Sequence, residues 1–439
     1  MRRLSVVPMV LTACLLTISY LPAPTLHAAA QDTAGLTTDD FFDDSELRDI
    51  YLTAKASDWA TLKKNFQENT YYPCTFSWNG MTVSNSTMRS RGSATRNPQK
   101  PGLRIDFNRY NASQRFVGLK YFVLDNMWTD VAMIKERVSM LLFRRLGQPA
   151  PRETHVRLFL NDEYLGLYVA VEAPDELYIE RVQESGTGYL FEYNWLRDYR
   201  FEYLGRDLSN YEMFDPKTRS KDPASLVWGP IEEMIRTINE APDAIFEREV
   251  SHYVDLVAFT KQIALDNFLA ESDGVLGLWG LNNFYLYRPE ESSQFRFLTW
   301  DKDSTFSRTD FPVMQGVNSN VLARRLLQVP AYLVLYLDTI DEAARIVGAT
   351  NEERSATASY ASRAGDRESR RLNGPDVGWM EREIRREANQ IRTAVIEDRY
   401  KSGSNEDFEY AVLQMIAFAR QRPAIVAAET RRLRQTLGQ

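Results

Sequence analysis

The sequence predicts an α+β fold with a smaller, β-rich N-terminal part and a larger, mainly helical C-terminal part. Runs of alternating apolar residues are concentrated before about residue 172, whereas nearly everything after Asn320 has helical spacing. Strands that come early and helices that come late are typical of folds that segregate the two. With 439 residues, the chain is also longer than one core of about 150 residues requires, so two lobes are expected.

The start of the chain predicts export. Arg2 and Arg3 supply positive charge, residues 4–20 are mostly apolar, and the three alanines at 28–30 match the pattern that signal peptidase cuts. We therefore expect a signal peptide over residues 1–30 and a secreted mature chain.

Two further expectations concern this region. Cys14 closes a Leu-Thr-Ala-Cys run that resembles a lipobox, so a lipoprotein anchored at Cys14 is the alternative to free secretion. Residues 31–45 are polar and acidic and predict a flexible leader. No later segment has the roughly 20 apolar residues of a transmembrane helix.

Composition excludes several classes of function. The 53 basic and 60 acidic side chains give a net charge of −7, which argues against nucleic-acid binding. Three histidines in the whole chain exclude a histidine-rich metal site, and no G-x-S-x-G motif accompanies them. Cys74 is the one cysteine beyond the signal, so no intrachain disulfide is expected.

The first elements of the N-terminal part follow from local patterns. Residues 48–52 alternate like a strand, and residues 56–65 have helical spacing. An Asn-Gly pair centres a hairpin over residues 75–83. A further strand is predicted at 103–107, and an amphipathic helix at 133–146.

A second hairpin completes this part. Its strands are predicted at 155–160 and 164–172, joined by an Asn-Asp-Glu turn. In the C-terminal part, residues 253–270 are strongly helical, and residues 283–287 and 295–300 are short strand-like runs. The polar 355–371 stretch predicts a solvated loop or surface helix.

One group of polar residues has the composition of a phosphoryl-transfer site. Asp273 is predicted in a loop after a helix, Asn283 opens a strand, and Asp301 and Asp303 close the next strand. Phosphoryl transfer needs a carboxylate that orients the attacking group and oxygen ligands for Mg²⁺. These four residues supply both.

Other interpretations of the same residues remain open. An Asp-Gly pair such as the one at Asp273 is a common turn, and an Asn before a strand is commonly a cap. Asp301 and Asp303 point to the same side of an extended chain and repel each other, so a positive group is expected between them. A lysine would serve as well as a metal ion.

A basic loop is the second candidate site. Gly92 allows close backbone approach, while Arg91, Arg96 and Lys100 are available to phosphates. The alternative is a solvated basic loop, because one glycine is far weaker evidence than a Gly-rich P-loop.

Several segments resemble motifs of the spore-coat protein H (CotH) family. Residues 91–96 (Arg-Gly-Ser-Ala-Thr-Arg), with Lys100 downstream, resemble its RGxS(S/T)R loop and basic strand. Residues 161–168 (Asn-Asp-Glu-Tyr-Leu-Gly-Leu-Tyr), followed by Glu172, resemble its NGEYxGxY…E hairpin.

The resemblance continues through the second half of the chain. An Asp-Gly pair at Asp273, residues 283–287 (Asn-Phe-Tyr-Leu-Tyr) and residues 300–306 (Trp-Asp-Lys-Asp-Ser-Thr-Phe) look like the family's D-G, (H)NxYLY and WDxDxxF segments. Residues 320–327 and 418–422 are similar to its late helices. The matches occur in order from about residue 85 to 425.

The resemblance implies an atypical protein-kinase-like, two-lobed fold over residues 46–435. The N-lobe is expected at about 46–180 and the C-lobe at about 181–435. It further implies that the protein binds ATP and Mg²⁺ and transfers phosphate to hydroxyls of a protein substrate.

The resemblance also implies roles for single residues. Asp273 matches the catalytic-loop carboxylate, and Asn283, Asp301 and Asp303 match the metal ligands. Lys100 matches a residue that contacts the nucleotide phosphates, together with Arg91 and Arg96 of the basic loop. Glu172 is the expected ion-pair partner of Lys100.

Departures from the family pattern leave the presumed metal ligands and catalytic carboxylate in place. The family's Asn-Gly turn is Asn161-Asp162, its histidine before the strand asparagine is Asn282, and Ala94 replaces a hydroxyl residue.

Three functions fit the sequence. The first is a secreted kinase that acts on Ser or Thr of exported, envelope or coat proteins. The second is a non-catalytic coat-assembly or adhesin-like binding module with the same fold. The third is another nucleotide-using transferase, since kinase-like scaffolds also move other groups.

Overall fold

The computed structural model describes residues 35–183, 186–350 and 377–436, and its N-terminal part is a closed barrel. The barrel strands are β1 (Arg48–Thr53), β2 (Tyr72–Trp78), β3 (Met81–Arg91), β4 (Gly102–Asp106), β5 (Tyr121–Asp125), β6 (Glu153–Leu160) and β7 (Glu163–Val171). Neighbouring strands pair in the order β1-β2-β3-β4-β5-β7-β6, and a parallel ladder between β1 and β6 closes the ring. Closure leaves none of the seven described barrel strands at an unpaired edge.

Helices form most of the regular secondary structure among the described residues outside the barrel. They are α1 (Thr38–Phe41), α2 (Ala56–Lys64), α3 (Lys135–Arg145), α4 (Glu176–Gln183), α5 (Ala224–Val227), α6 (Gly229–Glu240), α7 (Phe246–Ser251), α8 (Leu256–Phe268), α9 (Val321–Leu326), α10 (Pro330–Gly348), α11 (Trp379–Glu397) and α12 (Asn405–Thr436). Among the described residues, no helix is long and apolar enough to span a membrane.

Both predicted hairpins are present in the barrel. Asn79 and Gly80 join β2 to β3 with φ angles of 49° and 78°, the positive values that a two-residue type I′ turn requires. Asn161 and Asp162 join β6 to β7 with φ angles of 50° and 68°. Because Asp tolerates this region better than most residues, it can stand where the family has glycine.

The predicted flexible leader is wrong for its described residues. Helix α1 forms there, and its Phe41 is completely buried inside the barrel. The Phe41 ring centroid lies 5.0 Å from that of Phe122 and 5.4 Å from that of Trp78. Burial of this aromatic ring outweighs the polar, acidic character on which the prediction rested.

The leader is also fixed by charge. Asp44 is paired with Arg137 of α3 and lies 2.9 Å from Arg386 of α11. Arg137 Nε lies 3.1 Å from a carboxylate oxygen of Glu387. Asp44, Glu383 and Glu387 form a group of three carboxylates close enough to share a cation, but the two guanidinium groups already fill that role.

A second sheet, which the sequence predicted only in part, lies in the C-terminal region. It consists of β8 (Gly188–Tyr193), β9 (Phe214–Pro216), β10 (Phe284–Pro289) and β11 (Arg296–Thr299), in the antiparallel order β11-β10-β8-β9. The predicted strands at 283–287 and 295–300 are β10 and β11. Strands β5, β8 and β9 were not predicted because each is a short run without long alternation.

The C-terminal helix α12 fixes the end of α8. The loop that carries the candidate site follows directly after α8. Arg422 of α12 is fully buried and donates hydrogen bonds to the carbonyl oxygens of Asn267, Phe268 and Phe311 at 2.6, 2.9 and 2.6 Å. A cation at a helix C-terminus satisfies carbonyl groups that have no partner within the helix. The predicted signal peptide, the lipobox and the 355–371 stretch lie outside the described residues.

Candidate functional site

The loop after α8 places Asp273 in a fixed orientation. The backbone N–H of Asp273 donates to Glu271 at 2.7 Å. Its carboxylate accepts hydrogen bonds from the side-chain amides of Asn282 and Asn283 at 3.0 and 3.2 Å. Burial raises the pKa of Asp273, and the nearby negative charge of Asp303 adds to the rise.

Sheet register brings Asn283 and Asp301 to the same edge. Phe284, the first residue of β10, pairs with Thr299, the last of β11, so Asn283 and Asp301, one and two residues beyond this pair, lie near the same end of the two strands. Asn283 and Asp301 both have left-handed backbones, with φ of 57° and 49°. Asn and Asp are the non-glycine residues that adopt this conformation most readily.

The ion-pair partner of Lys302 is a third carboxylate, not one of the two aspartates that flank it. Its fully buried ammonium lies 3.4 Å from the carboxylate of Asp266 and donates to the backbone carbonyl of Asn283 at 3.3 Å. Burial lowers the pKa of Lys302, but the carboxylates of Asp266 and Glu271 outweigh this effect and raise it overall. Lys302 thus supports the loop from the interior of the molecule.

Asp301 and Asp303 are part of a cluster of negative charge. Burial raises the pKa of Asp301 well above its ordinary value, and the charges of Asp303 and Asp125 raise it further. Asp303 accepts hydrogen bonds from the hydroxyls of Thr129 and Ser304. Carboxylates from the barrel and from the end of the second sheet therefore lie close enough to affect one another electrostatically, and we call the region that they share the cleft.

A barrel strand and helix α3 supply two acidic residues that no sequence motif indicated. Asp125 ends β5 and Glu136 lies in the first turn of α3. Burial raises the pKa of Glu136 well above normal, and the charges of Glu153, Asp301 and Asp125 raise it further. The one available signal was the position of Asp125 at a strand end, like that of Asp301.

Arg91 is the cation that reaches this cluster from the predicted basic loop. Its guanidinium lies 3.2 Å from Asp125 and 5.9 Å from the ring centroid of Trp300. Burial lowers the pKa of Arg91, but attraction to Asp125 and Asp301 outweighs burial and raises it overall.

Comparison with known proteins identifies the family. Residues 88–360 match the family model described as "CotH kinase protein", which is more than half of the chain. The chain belongs to this CotH kinase family. Membership confirms the resemblance found in the sequence and the kinase-like α+β class that it implied.

Two known proteins are similar to this CotH-family chain. The inner spore coat protein H of Bacillus subtilis is 25% identical over 256 residues, which cover 54% of this chain and 65% of that protein. A crystal structure of the Helicobacter pylori proinflammatory kinase CtkA is 11% identical with a TM-score of 0.29, and the alignment covers 78% of this chain and 94% of that one. A TM-score this low supports no residue-by-residue comparison.

The predicted ion pair between Lys100 and Glu172 is wrong. Lys100 Nζ instead lies 2.7 Å from Asp398 Oδ2, and both side chains are fully buried. The backbone N–H of Leu167 donates to the same oxygen at 3.0 Å, which places Lys100 beside the middle of β7. Glu172 follows the end of β7, five residues and roughly 16 Å further along the strand.

Glu172 lies in a different part of this CotH-family protein, where it is buried. It is paired with Arg152 at 2.6 Å and with Arg181, and these guanidinium groups keep its pKa low against the effect of burial. Neither Lys100 nor Glu172 is therefore placed to bind a nucleotide in the predicted way. We refer to the buried Lys100–Asp398 pair as the latch, because it joins the barrel to the segment between α11 and α12.

Arg96 also has a structural role. Its guanidinium donates to the carbonyl oxygens of Gly92, Phe66 and Glu68 at 2.8, 3.0 and 3.1 Å, and to the side chain of Asn69. These bonds use the donor capacity of the side chain to hold its own loop against the turn after α2. Of the predicted basic residues, Arg91 is the one that faces the acidic cleft.

Proposed function

We propose that this CotH-family protein is a secreted protein kinase that transfers the γ-phosphate of ATP to Ser or Thr hydroxyls of exported, envelope or coat proteins. The observation that carries the proposal is the unbalanced negative charge of the cleft. Asp125, Glu136, Asp301 and Asp303 influence one another electrostatically, and Arg91 is the cation that opposes them most directly. Folded proteins seldom keep such a cluster unless a ligand neutralises it.

The chemistry of the cleft fits Mg²⁺. Asn283, Asp301 and Asp303 offer the oxygen atoms that this ion prefers and would hold it. Bound Mg²⁺ would neutralise the charge of the ATP phosphates during transfer. Asp303 is already oriented by the hydroxyls of Thr129 and Ser304, so it loses little freedom when it binds a cation.

Asp273 is the proposed catalytic carboxylate. The amides of Asn282 and Asn283 hold one of its oxygens, which leaves the other to accept a hydrogen bond from the substrate hydroxyl. Its raised pKa makes it a better proton acceptor than a fully solvated aspartate. Arg91 is the proposed contact to the nucleotide phosphates, because its planar guanidinium matches phosphate geometry.

A second transferase activity remains a candidate for one specific reason. The ion pair with Glu172 that was predicted for Lys100 is absent, so the nucleotide can bind in another orientation. Transfer of a nucleotidyl group would then replace transfer of the γ-phosphate.

The decisive experiment uses two isotopic labels. The purified mature protein is incubated with Mg²⁺ and a mixed protein acceptor, with ATP labelled at either the γ or the α position. Label transferred only from the γ position supports the kinase, and label transferred from the α position supports nucleotidyl transfer. Absence of both leaves the non-catalytic binding module.

Asp273→Asn tests the assigned role. It removes the carboxylate charge with little change in volume, so transfer should fall at least roughly 100-fold while the circular dichroism spectrum is unchanged. Asp310→Asn is the matched control, because Asp310 is an exposed carboxylate paired with Arg308 outside the cleft. Equal activity in the two variants would remove Asp273 from the mechanism.

A further inference from the structure

Two exposed tryptophans lie beside the loop that carries Asp273. Trp195 and Trp279 are 48% and 57% exposed, and their neighbours Leu196 and Leu278 are 68% and 47% exposed. We call these four residues the tryptophan platform. A soluble protein rarely exposes several large apolar side chains together unless the surface binds something.

The platform is held rigidly by its own backbone. The indole N–H of Trp195 donates to the carbonyl oxygen of Trp279 at 2.8 Å, which joins the two loops. Arg200 donates to the carbonyl oxygens of Gly277 and Leu278 at 3.2 and 3.0 Å. Gly280, with φ of 98°, leaves no room for a side chain against the backbone of the 198–200 segment. The tryptophans are thus displayed on a fixed support.

The platform is continuous with the candidate catalytic loop. The backbone N–H of Leu278 donates to the carbonyl oxygen of Ser272, the residue before Asp273, at 2.9 Å. A Cβ added to Gly277 would lie 3.2 Å from the Cα of Asp273. Whatever binds the platform therefore lies directly next to the proposed transfer site.

The size and charge of the platform favour a short peptide segment. Its four side chains expose on the order of 400 Å² of largely apolar surface, about half of the roughly 800 Å² per partner that a stable dimer buries. Around it, Arg197 and Arg200 are balanced by Asp198 and Glu202, so no surplus of basic charge attracts an anionic membrane.

We propose that the tryptophan platform docks an extended segment of the protein substrate through an apolar side chain that flanks the acceptor hydroxyl. The proposal rests on the proposed kinase function and names a substrate feature for it. Docking outside the reacting atoms would lower KM and leave the chemical step to the cleft.

The test uses short fluorescent peptides with one central serine. In one set a Phe or Leu is moved position by position along a Gly-Ala background, and the reference peptide has the same background and serine without the Phe or Leu. We expect at least one apolar position to bind about tenfold tighter than the reference in fluorescence anisotropy. Trp195→Ala/Trp279→Ala should erase that difference, and Tyr410→Ala/Leu413→Ala, at exposed sites on α12, should retain it.

Binding and transfer are measured separately so that the two proposals can fail separately. Peptide binding that persists in Asp273→Asn and disappears in the double tryptophan variant supports the platform even if no phosphate is transferred. Phosphate transfer with an unchanged KM in the double tryptophan variant overturns the platform and retains the kinase. A dimer in sedimentation, or binding to phosphatidylglycerol vesicles, that the double variant abolishes would also overturn it.

Discussion

The cleft and the latch both bury charged side chains where the barrel meets the C-terminal part, but their charges are balanced differently. In the latch, Lys100 faces one carboxylate, and Asp398 also accepts hydrogen bonds from the backbone N–H groups of Leu167 and Tyr400 at 3.0 and 2.9 Å. In the cleft, carboxylates from two parts of the molecule outnumber the cations that face them.

The difference separates a structural role from a functional one. A buried pair with its hydrogen bonds satisfied specifies how two parts dock, whereas a surplus of like charge weakens the fold unless a ligand is present. Perturbed pKa values alone would not have made this distinction, because burial shifts them at both places. The two places differ in whether each buried charge has a partner of opposite charge.

Removal of one partner from the latch should give the largest effect on stability. Lys100→Met leaves Asp398 buried without its counter-charge, so the free energy of unfolding should fall by about 3–5 kcal/mol. Urea denaturation followed by circular dichroism measures the change.

A surface pair provides the control for the latch. Arg392 and Glu409 form an exposed pair at 2.6 Å, and Arg392→Ala should lower the free energy of unfolding by no more than about 1 kcal/mol. Similar losses of unfolding free energy in the two variants would mean that the latch stabilises the protein no more than an exposed ion pair does.

Glu153 acts electrostatically on the cleft residue Glu136 and provides a pH-dependent test with an effect of intermediate size. Burial raises its pKa from 4.5 to about 7, against the attraction of Arg144 and Arg137. Between these values the folded carboxyl keeps its proton while the unfolded one releases it, so this residue makes the fold less stable as pH rises. The slope for one proton is about 1.4 kcal/mol per pH unit.

Glu153→Gln should remove that contribution. Relative to the original protein, the variant should gain stability as pH rises from 4.5 to about 7, with no further relative gain above it. Thermal unfolding of both proteins across this range measures the difference. A constant difference at every pH would show that Glu153 titrates as it does in the unfolded chain.

The smallest expected change has the opposite sign from that in the latch. Asp301→Asn combined with Asp303→Asn removes two repelling charges, and Asn tolerates the left-handed backbone of Asp301. In EDTA the free energy of unfolding should rise by about 1 kcal/mol, whereas added Mg²⁺ should no longer stabilise the protein. A loss of stability in EDTA would contradict the view that the cleft holds uncompensated charge.

Sequence patterns predicted correctly that residues from nearby segments lie together. Asn283 and Asp301 flank two strands that pair with each other, so their positions at strand ends were enough to predict that they lie together. Asp273 enters the same site through a loop of ten residues. Local pattern also identified both barrel hairpins, because their turns need residues that accept positive φ.

Prediction from the sequence failed where the interacting residues are distant in the chain. The partner of Lys100 is 298 residues away, and nothing near Asp398 distinguishes it from other acidic residues at a helix end. Glu136 reaches the cleft only because α3 packs between the barrel and the helices, which depends on tertiary packing. Phe41 shows the same limit, since an acidic stretch concealed a core residue.

The 298-residue separation of the latch has a consequence for the order in which the molecule assembles. During synthesis, all barrel strands through Val171 are complete long before Asp398 is made, so the buried lysine must wait for its counter-ion. Closing so long a chain segment is slow and is favoured only once the intervening helices have formed. The N-terminal barrel can therefore reach its final packing only late, when almost the whole chain is available to fold as one unit.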